Sequence, residues 1–311
     1  MVIDGRKGDL TEYRQVPRIQ ELCAKYKTDG LMILHMAGDS RNKSENDVSK
    51  DKSENDGGLL KIPGQARNDK KGARDDGGVD FVMDFFNPDG SGGMMCGNGG
   101  RCIVAFADYL GLKPAAADGT WHFMAPDGPH EAKILQRPDG RSPIRSGMTG
   151  EWTVRLKMID VQGVTPVKNG YFLNTGTRHY VEFRDRVDGI DMEKEAKPLR
   201  WDPTFQPEGT NVNFVERTAE GLKVRTFEKG VEGETLACGT GITASAIAAW
   251  WAEIPGTSPR MTEAKTSPGT AEYRLQCRRG DWLSVEFKKE GPERFTDVFL
   301  TGPAELVEIL P

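Results

Sequence analysis

No stretch of this 311-residue chain reaches the 18 or so consecutive apolar residues that a membrane-crossing helix needs. Met1 is not followed by a basic segment and an apolar core, so no secretory leader is read at its start. Positive charge is not in excess either: 42 Lys and Arg stand against 47 Asp and Glu, a net charge of −5. That balance lacks the basic footprint which nucleic acid or an anionic membrane surface demands, so neither is expected as a partner. There is no Cys-x-x-Cys pair for a redox centre and no spaced cysteine pairs for zinc. The five cysteines, Cys23, Cys96, Cys102, Cys238 and Cys277, are odd in number and scattered, which points to a reducing cytoplasm and away from a disulfide framework. The lone Asn-x-Ser at Asn42 then reads as a chance match.

What the chain has in plenty is glycine, 37 residues, well above the usual share of about 7%. So much glycine implies tight turns and places where backbone approaches a ligand. The length predicts about two domains and is ample for a full core.

Residues 39–78 differ from the rest: 18 of the 40 are charged, nine of each sign, and KSEND occurs twice. Such a segment cannot bury enough surface to offset its ordering entropy, and it reads as a disordered insertion or, alternatively, a regulatory loop. It separates two strand candidates, Gly30–His35 and Val79–Phe86. Further strands are predicted at Trp121–Ala125, Trp152–Met158, Tyr171–Leu173, Tyr180–Phe183, Val212–Val215, Leu222–Phe227, Trp282–Phe287 and Val298–Leu300. Helices are few: Gln15–Lys27, Arg101–Leu110 with Ile103, Phe106, Ala107 and Leu110 on one face, and the broadly apolar Ile242–Glu253. Many strands with few helices predict an α+β fold.

A weak internal repeat runs through this pattern. Cys96-Gly-Asn-Gly precedes one helix and Cys238-Gly-Thr-Gly another, nearly half a chain apart. Two similar domains facing each other, each offering one cysteine, is the economical reading. At a helix N-terminus several backbone N–H groups lack partners and the macrodipole is positive. A thiol there is pushed towards thiolate, and a carboxylate can be held by the N–H groups. Asn98 and Thr240, two residues beyond each cysteine, can serve as caps or ligand donors. Two such half-sites around one carbon form an inverting machine: one thiolate removes a proton and the opposite thiol delivers one to the other face. No cofactor and no metal is called for. Any single cysteine can equally be a buried small apolar residue, and that reading is preferred for Cys23, Cys102 and Cys277.

Asn87-Pro-Asp-Gly-Ser-Gly-Gly-Met-Met-Cys96-Gly-Asn-Gly-Gly-Arg-Cys102 and Glu228-Lys-Gly-Val-Glu-Gly-Glu-Thr-Leu-Ala-Cys238-Gly-Thr-Gly resemble the two signature segments of the diaminopimelate epimerases. The resemblance covers most of the chain outside 39–78. It implies two pseudo-symmetric α/β domains, each a mostly antiparallel sheet around a central helix, with the active site in the cleft between them. The expected division is 1–152 with 299–311, and 153–298. The implied activity is cofactor-independent interconversion of LL- and meso-diaminopimelate, an isomerase step towards lysine and peptidoglycan, in a cytoplasmic homodimer. By position, Cys96 and Cys238 match the catalytic pair. Gly97, Asn98, Gly239 and Thr240 match the helix starts that hold the reacting carboxylate, and Asn87 and Asn211 match substrate-binding asparagines. Glu228 matches a ligand of the substrate amine that is also important for activity, and His179 a histidine that tunes the site. Physically, a histidine near a thiol can raise its thiolate fraction.

Three departures stand out. Gly176-Thr177-Arg178-His179 replaces the family's Gly-Asn-Pro-His, so Thr177 offers a hydroxyl in place of an amide. Lys229 replaces an arginine, a point charge where a bidentate fork would grip the distal carboxylate. The family also opens with a strand carrying a Gly-x-Gly-Asn-Asp-Phe type motif, whereas Val2-Ile3-Asp4 looks like the tail of that strand. The expectation is that roughly ten residues are missing before it, through a start set too far downstream or a damaged gene. The competing readings are a proline racemase-like two-thiol enzyme, which needs no distal-carboxylate ligand, and a catalytically impaired binding homologue.

Overall fold

A computed structural model describes residues 1–6, 10–28, 30–36, 78–92, 97–138, 150–253, 269–290 and 293–306. The charged insertion, apart from Gly78, lies outside them, as do Asn42 and Cys96.

The first half of the chain runs β1 (Val2–Asp4), α1 (Val16–Tyr26), β2 (Leu31–His35), β3 (Phe81–Phe86), α2 (Gly97–Tyr109), β4 (Thr120–Ala125), β5 (Gly128–Gln136) and β6 (Gly150–Lys157). Three short strands follow, β7 (Val161–Gln162), β8 (Thr165–Val167) and β9 (Gly170–Asn174). The second half runs β10 (Arg178–Phe183), α3 (Met192–Arg200), β11 (Asn211–Arg217), β12 (Leu222–Glu228), β13 (Gly233–Thr235), α4 (Gly239–Ala252), β14 (Thr270–Gln276), β15 (Trp282–Glu290) and β16 (Arg294–Leu306). The fold is α+β, as the strand-rich pattern predicted.

The strand pairing repeats itself. β1 and β2 are parallel across α1, β2 and β3 antiparallel, β3 and β4 parallel across α2, and β4, β5 and β6 antiparallel. β10 and β11 are parallel across α3, β11 and β12 antiparallel, β12 and β14 parallel across α4, and β14, β15 and β16 antiparallel. Each parallel pair needs a crossover, and a helix supplies it. Thus α2 and α4 hold equivalent places, and their first residues inherit equivalent positions.

The two series join through β16. Its residues 294–301 pair with β15 and its residues 299–306 with β6, so one continuous sheet runs from β1 to β8. Both helices pack against this sheet. In α4, Ile242, Ala244, Ala246, Ile247, Ala248 and Ala249 are all buried. Its small side chains let strands approach from most sides, which explains why the segment is apolar nearly all round. α2 buries Ile103, Val104, Ala105 and Ala107 against the same continuous core. Each such branched side chain stabilises by about 1.5–3 kcal/mol relative to exposure.

Candidate active site

The starts of α2 and α4 touch. A Cβ placed on Gly97 would lie 3.2 Å from Gly239 Cα, and one on Gly239 would lie 3.0 Å from Gly97 Cα. A side chain at either position would require the facing backbone to give by a few tenths of an ångström, so glycine suits both. Cys238 is the N-cap of α4 and is buried. Cys96 falls outside the described residues but is bonded in sequence to Gly97. The first helical hydrogen bond of α4 runs from Ile242 N to Cys238 O at 2.9 Å. The N–H groups of Gly239, Thr240 and Gly241 therefore precede the helical ladder and are disposed to receive an anion.

Around Cys238 the support is neutral and polar. Gly176, at φ +107°, makes the tight turn between β9 and β10 that delivers Thr177 and His179. His179 is fully buried, and burial pushes its pKa down to about 3, against a smaller upward pull from Asn213. Asn213 fixes the ring's tautomer. The Tyr180 carbonyl can only accept, so the atom 3.0 Å from it is the Asn213 amide nitrogen. The same NH₂ group faces His179 Nδ1 at 3.0 Å, while Asn213 Oδ1 accepts from Thr226 Oγ1 at 2.9 Å. Nδ1 is thus an acceptor, and the neutral ring carries its proton on Nε2. Nε2 lies 2.8 Å from Thr177 Oγ1 and 3.0 Å from Thr240 Oγ1, and Thr240 Oγ1 lies 3.5 Å from Cys238 Sγ. The histidine therefore reaches this thiol through a hydroxyl as a neutral donor. Burial disfavours the imidazolium, so the ring faces the thiol as a neutral group across the Thr240 hydroxyl. Gly241 leaves room for the network, since a Cβ there would fall 2.5 Å from Asn213 Oδ1.

The other expected residues divide into two groups. Thr177, Asn211, Lys229, Gly239 and Thr240 come together with Cys238 and His179. Asn211 Nδ2 donates to Thr177 Oγ1 at 3.2 Å and to Arg178 O at 3.1 Å, and its Oδ1 accepts from Lys229 N at 2.8 Å. Much of this amide is thus engaged in joining β10 to the turn after β12, and the Lys229 side chain is exposed. Glu228 closes β12, half-buried, with its carboxylate accepting from Thr235 Oγ1. Asn87 is exposed on the turn after β3, where its amide donates to Ser91 Oγ at 3.0 Å. Asn98, on the α2 side, donates Nδ2 to Ala237 O at 3.0 Å, the residue before Cys238. A cleft lined by Asp127, His130, Met158, Thr175, Thr177 and Thr240 opens beside these hydroxyls. Cys23 and Cys277 are buried, and burial raises the pKa of the Cys102 thiol.

Sequence reasoning passed over Asn213 and read His130, which lines this cleft, as structural or solvated. Asn213 stands two residues from Asn211 on one strand, so the period of two put both on one face. Among the described residues no cluster of His, Cys, Asp and Glu could hold a metal ion, and no helix is long and apolar enough to cross a membrane.

A family model described as diaminopimelate epimerase matches residues 171–307. A curated diaminopimelate epimerase of Flavobacterium psychrophilum is 36% identical over 233 residues, covering 75% of this chain and 78% of that protein. The chain belongs to the diaminopimelate epimerase family. A second relative of the same name, from Methanocella arvoryzae, is 41% identical over 232 residues, covering 72% of this chain and 74% of its own length. The solved structure of a Bacillus anthracis phenazine biosynthesis protein of the PhzF family superposes on 94% of this chain and 88% of its own, with a TM-score of 0.54 at 12% identity. That likeness concerns the fold alone. The epimerase is an isomerase by family, and its two helix starts meet at the paired glycines.

Proposed function

We propose that this chain converts LL-2,6-diaminopimelate to meso-diaminopimelate with two thiols and no cofactor. The observation that carries the reading is the contact between Gly97 and Gly239. It brings the residues next to two cysteines, one from each repeat, to a single point. In this mechanism Cys96 and Cys238 flank the substrate α-carbon. One, as thiolate, takes the α-proton, and the other, as thiol, gives its proton to the opposite face. The sulfurs exchange protonation states, configuration inverts, and no electrons are gained or lost. N–H groups of Gly97, Asn98, Gly239 and Thr240 hold the α-carboxylate as charge spreads into it. The Thr240 hydroxyl, with His179 behind it, donates towards Cys238. Glu228 and Asn211 take the ammonium group, and Asn87, Thr177 and Lys229 the remainder of the substrate.

We read residues 1–152 with 299–311 as one domain and 153–298 as the other. The enzyme works in this reading as a cytoplasmic homodimer on the route to lysine and peptidoglycan. Incubation with LL-diaminopimelate in deuterated water tests it. The expected result is solvent deuterium at Cα together with the meso isomer. Binding without label entry, or racemisation of proline in its place, overturns it.

A further inference from the structure

We propose that Arg101 is a positioning residue for this reaction: acting through Asn98, it fixes the backbone just before Cys238 against the start of α2. The inference rests on the two-thiol reading above. Arg101 lies one turn inside α2 and is only 5% exposed. Its Nη2 donates to Asn98 Oδ1 at 2.9 Å and its Nε to Pro303 O of β16 at 3.3 Å. Gly302 leaves the space, since a Cβ there would lie 3.3 Å from Nε. With its oxygen engaged by the guanidinium, Asn98 presents its nitrogen to Ala237 O at 3.0 Å. A chain of hydrogen bonds thus runs from β16, the strand shared by both repeats, through α2 to the peptide that carries the opposite thiol. Only a planar fork can serve Pro303 O and Asn98 Oδ1 in these divergent directions. A lysine ammonium in its place keeps the charge and loses the geometry. The buried cation also adds to the positive potential of the α2 start, where the substrate carboxylate is proposed to bind.

The test uses the full chain with Arg101→Lys, Asn98→Asp and the double variant, each checked for a wild-type circular dichroism spectrum. Asn98→Asp keeps an acceptor for Arg101 and removes the donor to Ala237 O. Two quantities are measured. One is kcat and KM for LL-diaminopimelate. The other is the rate at which oxidised glutathione links Cys96 to Cys238 in substrate-free protein, releasing two molecules of reduced glutathione. The expected loss in kcat is about 10- to 100-fold with KM changed less than about threefold. The cross-link should slow about tenfold, and the double variant should be no worse than the weaker single one. A wild-type cross-linking rate in Asn98→Asp overturns the proposal, whatever happens to kcat. Should Arg101→Lys fail to fold, Asn98→Asp decides alone. A wild-type protein that neither cross-links nor epimerises instead removes the two-thiol reading itself.

Discussion

Two residues past each cysteine stand Asn98 at the start of α2 and Thr240 at the start of α4; five past stand Arg101 and Thr243. In each case the fifth residue reaches back to the carbonyl of the first: Thr243 Oγ1 to Gly239 O at 2.9 Å and Arg101 Nη1 to Gly97 O at 3.5 Å. Beyond that shared backbone the surroundings diverge. The α4 start is embedded in the half-buried hydroxyls of Thr177 and Thr240 and the buried Asn211, Asn213 and neutral His179. The α2 start is braced by a guanidinium that spans to β16. Duplicated topology thus supplies two equivalent helix ends, and side chains make one neutral and the other cationic.

The sharpest way to break that comparison is to remove each sulfur in turn. Cys96→Ser and Cys238→Ser should each cost about 10²–10⁴-fold in turnover with substrate binding largely kept, as calorimetry alongside the rate assay would show. Full activity in either variant dissolves the equivalence of the two ends. Next in size, Gly97→Ala or Gly239→Ala forces a methyl against the opposite Cα. A shift of the helix starts by a few tenths of an ångström or more should lower kcat by up to about 100-fold. Equal losses from the two would indicate that the contact, and not either helix alone, is what matters.

Gly241→Ala probes the α4 end by itself. Its methyl would press on Asn213 Oδ1 and Thr226 Oγ1, and the expected destabilisation is about 1–3 kcal/mol in urea denaturation. The smallest effect separates neutral from cationic support through pH. The folded pKa of His179, about 3, lies below the ordinary 6.5. The unfolded chain therefore takes up a proton that the folded ring refuses, and stability is lost as pH falls below about 6.5, by up to about 1.4 kcal/mol per pH unit. In His179→Gln the slope of the urea midpoint between pH 7 and pH 5 should be shallower. An unchanged slope would mean that this ring charges in the folded state.

Much of this arrangement was legible in the residues. The two cysteine motifs located both helix starts, which hydrophobic periodicity alone set too late: α2 begins at Gly97 and not Arg101, α4 at Gly239 and not Ile242. Glycines carry no periodic signal, yet here the close approach of the two helix starts uses them. α3 escaped notice because it is short, strongly charged and contains Pro198, and because its N-cap Asp191, which accepts from Lys194 N, lies in a charged surface stretch. Its place in the repeat, opposite α1, was the missing clue. β5 was missed because Gly128-Pro-His-Glu-Ala-Lys-Ile-Leu-Gln does not alternate cleanly, and its burial is correspondingly irregular. The motifs named the candidate residues, but their hydrogen bonding could not be read from them. Nothing local in Asn211 foretells that its amide links a strand to a turn, and only three-dimensional packing reveals that His179 is fully buried, which pushes its pKa well down.

The ribbon Arg294–Leu306 has a final consequence. Phe299, Leu300 and Thr301 pair on both sides at once, with β15 and with β6. This strand is therefore the seam on which both repeats close. An amino-terminal fragment ending before it would leave β6 without its neighbour, and a carboxy-terminal fragment would carry that edge exposed, inviting association along it. For all its internal duplication, this protein is not built of separable modules, and dividing its gene at the midpoint should yield two sticky halves in place of two small domains.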